Sequence, residues 1–384
     1  MSSQYRRFVF INSHPIQYFA PLYKKMTDEG LHTQVWYASN ESVNGGFDKE
    51  FGQKVKWDVP LLEGYSYRFF KNYSLNPSIN NGFFGLLNLG MLKALLKLPK
   101  SLVIIHGWGY FTNVSTLIVA KLVGHTVGIR GESPLNQELL KNKNNLFFKR
   151  IFLKYFLFQF VDRFYYIGQQ NRAFYKYFGV KESKLVFTPY AVDNERFQQA
   201  AKELLSQKKM LRQELGLPID SKIILFSGKY IYKKRPIDLL QAYNSLQIPG
   251  KALVMVGEGE LRPEMEEFIA NHSLGNVFLT GFVNQREIVK YYAIADLFVM
   301  CSGDGETWGL ATNEAMNFGI PIVLSDRVGC AADLINEQTG IIFPLGNTNA
   351  LTEALRLVLN KKYLSSGIIK KINQYSYRQI IDSF

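Results

Sequence analysis

Short apolar runs alternate with stretches of helical periodicity along almost the whole chain. In the first half, 7–12, 33–37, 101–105, 126–129 and 163–167 read as strands. In the second half, 222–227, 252–256, 277–279, 297–300, 321–324 and 340–343 do. Unbroken apolar runs of this length suit strands buried on both faces. Their alternation with helices predicts α/β architecture with parallel sheets. A boundary is expected near Pro189-Tyr190-Ala191-Val192-Asp193, or in the charged helix 194–215. The expected division is 1–190, 191–368 and a terminal stretch 369–384. That last stretch, polar with scattered aromatics, is expected to form a helix packing back on the first domain. No internal repeat or low-complexity segment is visible.

Two segments of the first half, 82–97 and 141–158, are apolar and basic together. Each suits a helix lying in a bilayer interface, with rings at the acyl boundary and Lys/Arg at the headgroups. Each equally suits a core-packed helix with snorkelling lysines. Charge sharpens the contrast. The chain carries a net +13, and residues 1–190 hold 24 Lys+Arg against 11 Asp+Glu, while 191–384 hold 21 of each. The whole excess therefore lies in the first half and points to an anionic partner there, such as a membrane surface or a phosphorylated acceptor. Nucleic acid fits the charge, but no stacking platform or reading helix is evident.

The remaining composition is that of a globular protein of 384 residues, 47% apolar and 20% charged, long enough for two domains. Cys301 and Cys330 are too few for a disulfide framework or a four-ligand zinc site, and suit a reducing cytoplasm. The N-terminal stretch lacks a signal-peptide core, and no run of 18 uncharged apolar residues exists. A cytoplasmic protein, or one attached to the inner face of the cytoplasmic membrane, is expected.

Chemistry concentrates in the second half. Gly305-Glu306-Thr307-Trp308-Gly309-Leu310-Ala311-Thr312-Asn313-Glu314 places two carboxylates eight residues apart across a Gly-containing turn that opens a helix. A strand, a turn and a helix N-terminus offer an anion site for a diphosphate. Two flanking carboxylates suit the hydroxyls of sugars on either side of it. The pattern suggests a nucleotide-sugar pocket. Gly228-Lys229-Tyr230-Ile231-Tyr232-Lys233-Lys234-Arg235 follows a strand, and its cations can neutralise a departing diphosphate or simply form a solvated loop. Gly257-Glu258-Gly259 ends another strand, where glycine permits close backbone approach or merely a tight turn. Gly281-Phe282-Val283 ends the next, offering a ring to a nucleobase or to the core. His14 and His106 each end an early strand and could line a cleft, although a lone histidine is more often structural. Asp304 and Glu306 do not suggest a metal site, because the cationic loop already supplies the charge.

Taken in order, these motifs resemble the retaining, GT-B-fold glycosyltransferases of family 4, most clearly over 186–355. The resemblance implies two Rossmann-like domains with parallel sheets facing a central cleft, the second binding the donor and the first the acceptor. Lys229 and Lys234 match the basic pair that contacts the donor diphosphate. Glu314 matches the carboxylate on the ribose, and Glu306 the one beside the transferred sugar. Backbone groups around Thr307, Trp308, Gly309 and Leu310 match the sugar and phosphate contacts, with Gly228 and Gly257 at the strand ends and Phe282 and Val283 near the base. Asn12-Ser13-His14-Pro15-Ile16-Gln17 and Trp57-Asp58-Val59-Pro60 look like a subgroup from bacterial surface-polysaccharide pathways.

The chain departs from the family in three places. The early Gly-Gly loop is replaced by Ser13-His14-Pro15-Ile16-Gln17, and Arg130, in Arg130-Gly131-Glu132-Ser133, stands where many relatives carry a histidine. One residue is inserted between Ser302 and Glu306. The expected catalytic residues are therefore Glu306, Lys234, Lys229 and Arg130, with acceptor contacts from His14, His106, Arg130 and Glu132. The implied donor is a nucleotide-diphosphate-sugar and the acceptor a glycan or lipid-linked hydroxyl, without metal or cofactor. A sugar-nucleotide epimerase of the same fold, or a non-catalytic membrane-surface glycan-binding subunit, are the rival readings.

Overall fold

The computed structural model describes residues 7–43, 45–48 and 50–384; residues 1–6, the start of the stretch read for a signal peptide, lie outside the described residues. Strands run in chain order as β1 (Phe8–Asn12), β2 (Thr33–Tyr37), β3 (Gly46–Asp48), β4 (Gln53–Val55), β5 (Ser66–Phe69), β6 (Leu102–His106), β7 (Thr126–Arg130), β8 (Arg163–Tyr166) and β9 (Leu185–Phe187). There follow β10 (Lys222–Ser227), β11 (Lys251–Val256), β12 (Val277–Leu279), β13 (Leu297–Met300), β14 (Ile322–Ser325) and β15 (Gly340–Phe343). The helices that matter below are α1 (Ala20–Asp28), α2 (Leu89–Lys97), α3 (Phe111–Leu122), α4 (Leu135–Glu138), α5 (Lys143–Tyr155) and α6 (Gln169–Tyr177). The second half adds α7 (Asn194–Leu204), α8 (Lys208–Glu214), α9 (Pro236–Ser245), α10 (Arg262–Asn271), α11 (Ile288–Ile294) and α12 (Leu310–Met316). It continues with α13 (Ala331–Leu334), α14 (Thr348–Asn360), α15 (Ser365–Ile372) and α16 (Tyr377–Ile381).

The chain packs as two units. One comprises Met1–Gly46, Val59–Pro189 and Tyr377–Phe384; the other comprises Phe47–Asp58 and Tyr190–Ser376. The first holds a seven-stranded sheet in the order β5-β2-β1-β6-β7-β8-β9, the second a six-stranded sheet in the order β12-β11-β10-β13-β14-β15. Among the described residues, every pairing in these two sheets is parallel. Each is a Rossmann-like layer of helices on a parallel sheet.

In the first unit the strand alternation decides which face each residue serves. Val9, Ile11, Val103, Ile105, Val127 and Ile129 face a core shared with α2, α3, α5 and α6. The alternate residues Phe8 and Phe10 meet Tyr23 of α1 and the terminal Phe384, whose ring also reaches Tyr165. The C-terminal turn is therefore part of this unit, and the Tyr377 hydroxyl donates to the Tyr18 carbonyl at 2.8 Å. Residues 369–376, expected to belong to the same terminal helix, stay with the second unit. There Ile224, Phe226, Leu253, Met255, Leu297, Val299 and Val323 pack under α9, α10 and α14.

Within the two large sheets, β5 and β9 escape the sequence reading, and both are edges of the first sheet. An edge strand is covered on fewer sides, so its residues need not be uniformly apolar, as Ser66-Tyr67-Arg68-Phe69 shows. The charged helix expected over 194–215 is two helices, α7 and α8, separated by a 3₁₀ turn at Leu205–Gln207. No helix among the described residues is long and apolar enough to cross a membrane.

Candidate functional site

Parallel register brings the motifs of the second unit together at the carboxyl ends of its strands. Ser227 pairs with Val256, so Gly228 and Gly257 emerge side by side, and Gly257 bridges to Gly281 beyond β12. Ligand sites of open α/β sheets gather at these carboxyl ends. Gly257 takes φ 151°, and a Cβ there would come within 1.9 Å of the Gly228 carbonyl oxygen. No other residue allows the two loops to approach so closely. Tyr230, fully buried, pins the basic loop by donating its hydroxyl to the Met255 carbonyl at 2.6 Å. The loop then winds into a short 3₁₀ turn, Tyr232–Lys234, and the Gly303 N–H donates to the Lys233 carbonyl at 2.7 Å. The cationic loop and the loop after β13 are thus laced together.

Within that lacing Lys234 forms an ion pair with Glu306. Glu306 is 8% exposed. Burial would raise its carboxyl, but the ammonium groups of Lys234 and Lys233, the former also hydrogen-bonded to it, outweigh it and hold the group below its ordinary 4.5. Glu306 is consequently a carboxylate at neutral pH, fit to accept hydroxyls or face developing positive charge and unfit to donate a proton. The loop continues through Thr307 to Trp308, whose indole is buried and donates to Asn313 Oδ1 at 2.9 Å. Asn313 in turn donates to the Tyr190 carbonyl. The Trp308 side chain therefore fixes the loop from beneath, leaving its backbone as the part able to meet a ligand. Gly309 caps α12 at φ 95°, where a Cβ would stand 2.9 Å from Met300 Sδ. α12, which begins at Leu310, has only seven residues. Its dipole is short, so the weight of holding an anion shifts towards the lysines.

Glu314 lies on α12, buried, and accepts from the Tyr292 hydroxyl at 2.7 Å and Gln285 Nε2 at 3.4 Å. Gln285 is itself held by Arg196, which donates to its carbonyl and side-chain oxygens at 3.0 and 2.8 Å. This support for Glu314 draws on α7, α11 and the loop before it. Nothing in the spacing of the sequence announces Arg196, Gln285 or Tyr292 as its partners.

Lys229 stands apart from the Glu306 pair. Its ammonium meets both Asp48 oxygens at 3.0 Å and Glu50 Oε2 at 2.6 Å, and lies 4.7 Å from the centre of the Phe51 ring. These acids come from the β3–β4 hairpin, whose tip Asp48 also ties by accepting the Glu50 and Phe51 N–H groups. The same hairpin brackets Phe282, with Phe51 and Trp57 ring centres 5.0 and 6.1 Å away. Asn284 fastens it, donating to the Lys56 carbonyl at 2.7 Å. Val283, between Phe282 and Asn284, is half-buried. Sequence reasoning missed Asp48, Glu50 and Phe51 altogether.

In the first unit, the parallel register pairs His106 with Arg130 at the carboxyl ends of β6 and β7. Arg130 is 6% exposed, lies 3.7 Å from Glu132 and has its guanidinium 4.9 Å from the centre of the Phe19 ring. Phe19 also packs edge-on to His106 at 4.7 Å. Burial, reinforced by the neighbouring Arg130 charge, holds the His106 imidazole well below 6.5, so it is neutral at pH 7. His14 follows β1, hydrogen-bonded to Ser13 at 2.9 Å, and burial lowers it too, against the pull of Glu41. His106, Arg130 and Glu132 thus form one group, with His14 on the neighbouring strand end. Among the described residues, no cluster of three or more His, Cys, Asp or Glu is arranged to hold a metal.

The arrangement places Lys229 and Lys234, each paired with carboxylates, in the loop that follows β10. Residues 179–377, just over half of the chain, match the family model described as glycosyl transferases group 1. An uncharacterized glycosyltransferase of Methanocaldococcus jannaschii is 30% identical over 183 residues, 45% of this chain and 46% of that protein. The O-antigen chain mannosyltransferase C of Escherichia coli is 28% identical over 157 residues, 38% of this chain and 40% of its own length. The match therefore spans less than half of either relative. Among solved structures, Anabaena HepE in complex with UDP and glucose is similar at a TM-score of 0.69 and 16% identity, covering 98% of this chain and 97% of that one. With two parallel-sheet Rossmann-like units and GT-B structural neighbours, the chain belongs to the glycosyl transferases group 1 family.

Proposed function

We propose that the protein is a retaining, metal-independent hexosyltransferase of the family 4 type. It moves a sugar from a nucleotide-diphosphate-sugar to a hydroxyl of a glycan or lipid-linked acceptor, on the cytoplasmic side, in cell-surface polysaccharide synthesis. The observation that carries the reading is the Lys234–Glu306 ion pair at the carboxyl ends of the second sheet. It supplies a fixed positive charge for the leaving diphosphate beside a carboxylate for the sugar. Lys229 adds a second cation, exchanging its Asp48 and Glu50 partners for phosphate oxygens. Glu314 takes the ribose hydroxyls, and Phe282 with Val283 lies against the base. The surface-polysaccharide setting is supported by the E. coli relative's name.

In the proposed step the bond from the anomeric carbon to the diphosphate oxygen breaks as an acceptor hydroxyl oxygen attacks the same face. The proton of that hydroxyl passes to the departing phosphate, so no separate side-chain base is needed. Charge that develops on the sugar ring is offset by the Glu306 carboxylate, and charge on the leaving group by the lysines. The His106–Arg130–Glu132 group, with His14 nearby, receives the acceptor in the first unit.

The test is donor turnover. The protein is incubated with UDP-, GDP-, ADP- and dTDP-sugars, UDP-sugars first because the Anabaena neighbour is in complex with UDP and glucose. Slow release of one nucleoside diphosphate, lost in Glu306→Ala and Lys234→Ala, supports the reading. Isomerisation of the intact nucleotide-sugar, or release unchanged in both variants, overturns it.

A further inference from the structure

We propose that α5 seats the first unit on an anionic lipid bilayer. The helix has two apolar faces and needs only one. Leu146 and Leu153 point inward and are buried in the core. Phe147, Phe148, Ile151, Phe152 and Tyr155 occupy the opposite face and are exposed, Phe148 at 68% and Tyr155 at 66%. An ordinary surface helix turns polar residues to that side. The outer rings touch chiefly one another, Phe147 against Phe148 at 5.8 Å and Phe152 against Phe156 at 5.4 Å. Half-exposed rings in this number present on the order of 500 Å² of apolar surface, at the upper end of what soluble monomers show. A core-packed helix accounts for Leu146 and Leu153 and leaves the outer face without a purpose.

Charge selects the occupant. Between Leu139 and Val161 there are five Lys or Arg residues and no Asp or Glu. Lys141 and Lys149 are taken up by the buried Glu138. Lys143, Arg150 and Lys154 border the aromatic face, Arg150 resting over the Tyr177 ring at 5.2 Å and Lys154 over Tyr155 at 4.9 Å. Rings flanked by cations, with no acid between them, complement a bilayer: phenyl groups enter the acyl boundary and the cations meet lipid phosphates. A second copy of the chain would bring the same cations face to face, which opposes self-docking.

The inference deepens the lipid-linked acceptor in the proposed function and rests on it only for its purpose. Binding to lipid is read without sugar transfer, so the two readings fail separately. The full chain is sedimented with phosphatidylcholine vesicles, with and without phosphatidylglycerol. Retention on the anionic vesicles that weakens with salt is expected. Phe147→Ser/Phe148→Ser/Phe152→Ser should lower it at least about tenfold. Lys143→Glu/Arg150→Glu, at exposed positions, should lower it and remove its salt dependence. Donor turnover in solution should be unchanged in both variants. No retention on phosphatidylglycerol vesicles, or retention equal in the charge-reversed variant, overturns the proposal. So does self-association that the ring variant abolishes while vesicle binding persists.

Discussion

The two sheets end in differently compensated sites. At the carboxyl ends of the second, Lys229 and Lys234 are each matched by carboxylates: Lys234 by Glu306, Lys229 by Asp48 and Glu50. At the carboxyl ends of the first, Arg130 is cushioned by the Phe19 ring and a more distant Glu132, and His106 is kept neutral by burial. Lys229, held by partly exposed acids, can exchange them for another anion at modest cost, whereas Lys234 is tied to a buried carboxylate. Similar layers of helix and strand thus carry two groups of charges that are compensated in different ways.

Removing the central charge should break this contrast most severely. In Lys234→Ala the buried Glu306 loses its partner, and uncompensated buried charges cost about 3–5 kcal/mol. Donor turnover should fall about 10²–10³-fold, as when a principal electrostatic group is lost. Nucleoside-diphosphate release and thermal denaturation read both effects; turnover within about tenfold of the parent would show that exchange does not depend on this pair.

Next in size is Arg130→Gln. If the first site places the acceptor, transfer should slow about 10–100-fold while acceptor-independent donor hydrolysis persists. Equal loss of transfer and hydrolysis would assign Arg130 to the donor instead. A smaller, opposite effect is expected from Asp48→Asn/Glu50→Gln. Partly exposed pairs of this kind are worth about 0.2–1 kcal/mol each. Nucleoside diphosphate should therefore bind a few-fold more tightly in calorimetric titration, and unchanged or weaker binding would mean the acids help rather than compete.

The smallest effect is that of pH near neutrality. Glu306 is held below 4.5, so its contribution is fully present above that value and is lost as pH falls through the lowered one. His106 is held well below 6.5 and stays neutral over the same range. Donor binding should be flat from about pH 8 to 5 on account of these two groups. A histidine signal from His106 titrating near its ordinary 6.5 by NMR would contradict its assigned environment.

The central strands were legible because burial on both faces forces unbroken apolar runs such as Leu-Phe-Val-Met in β13. The edges β5 and β9 were not, because partial cover relaxes that demand. The Glu306 and Lys234 motifs were readable from local spacing beside strand ends, and the structure brings them into contact. The partners of Lys229 were not readable, because Asp48 lies 181 residues away and no periodicity joins the two. Trp308 stands between these cases: its place in the loop was evident, but its role as a buried anchor bonded to Asn313 depends on packing alone.

The β3–β4 hairpin has a consequence for inheritance. It is encoded among first-unit strands, yet from Phe47 onward it folds as part of the second. A recombination joint at Pro189 would carry Lys229 into a hybrid and leave Asp48, Glu50 and Phe51 behind. Functional chimeras with relatives should therefore need two transplanted pieces, the C-terminal half and this hairpin.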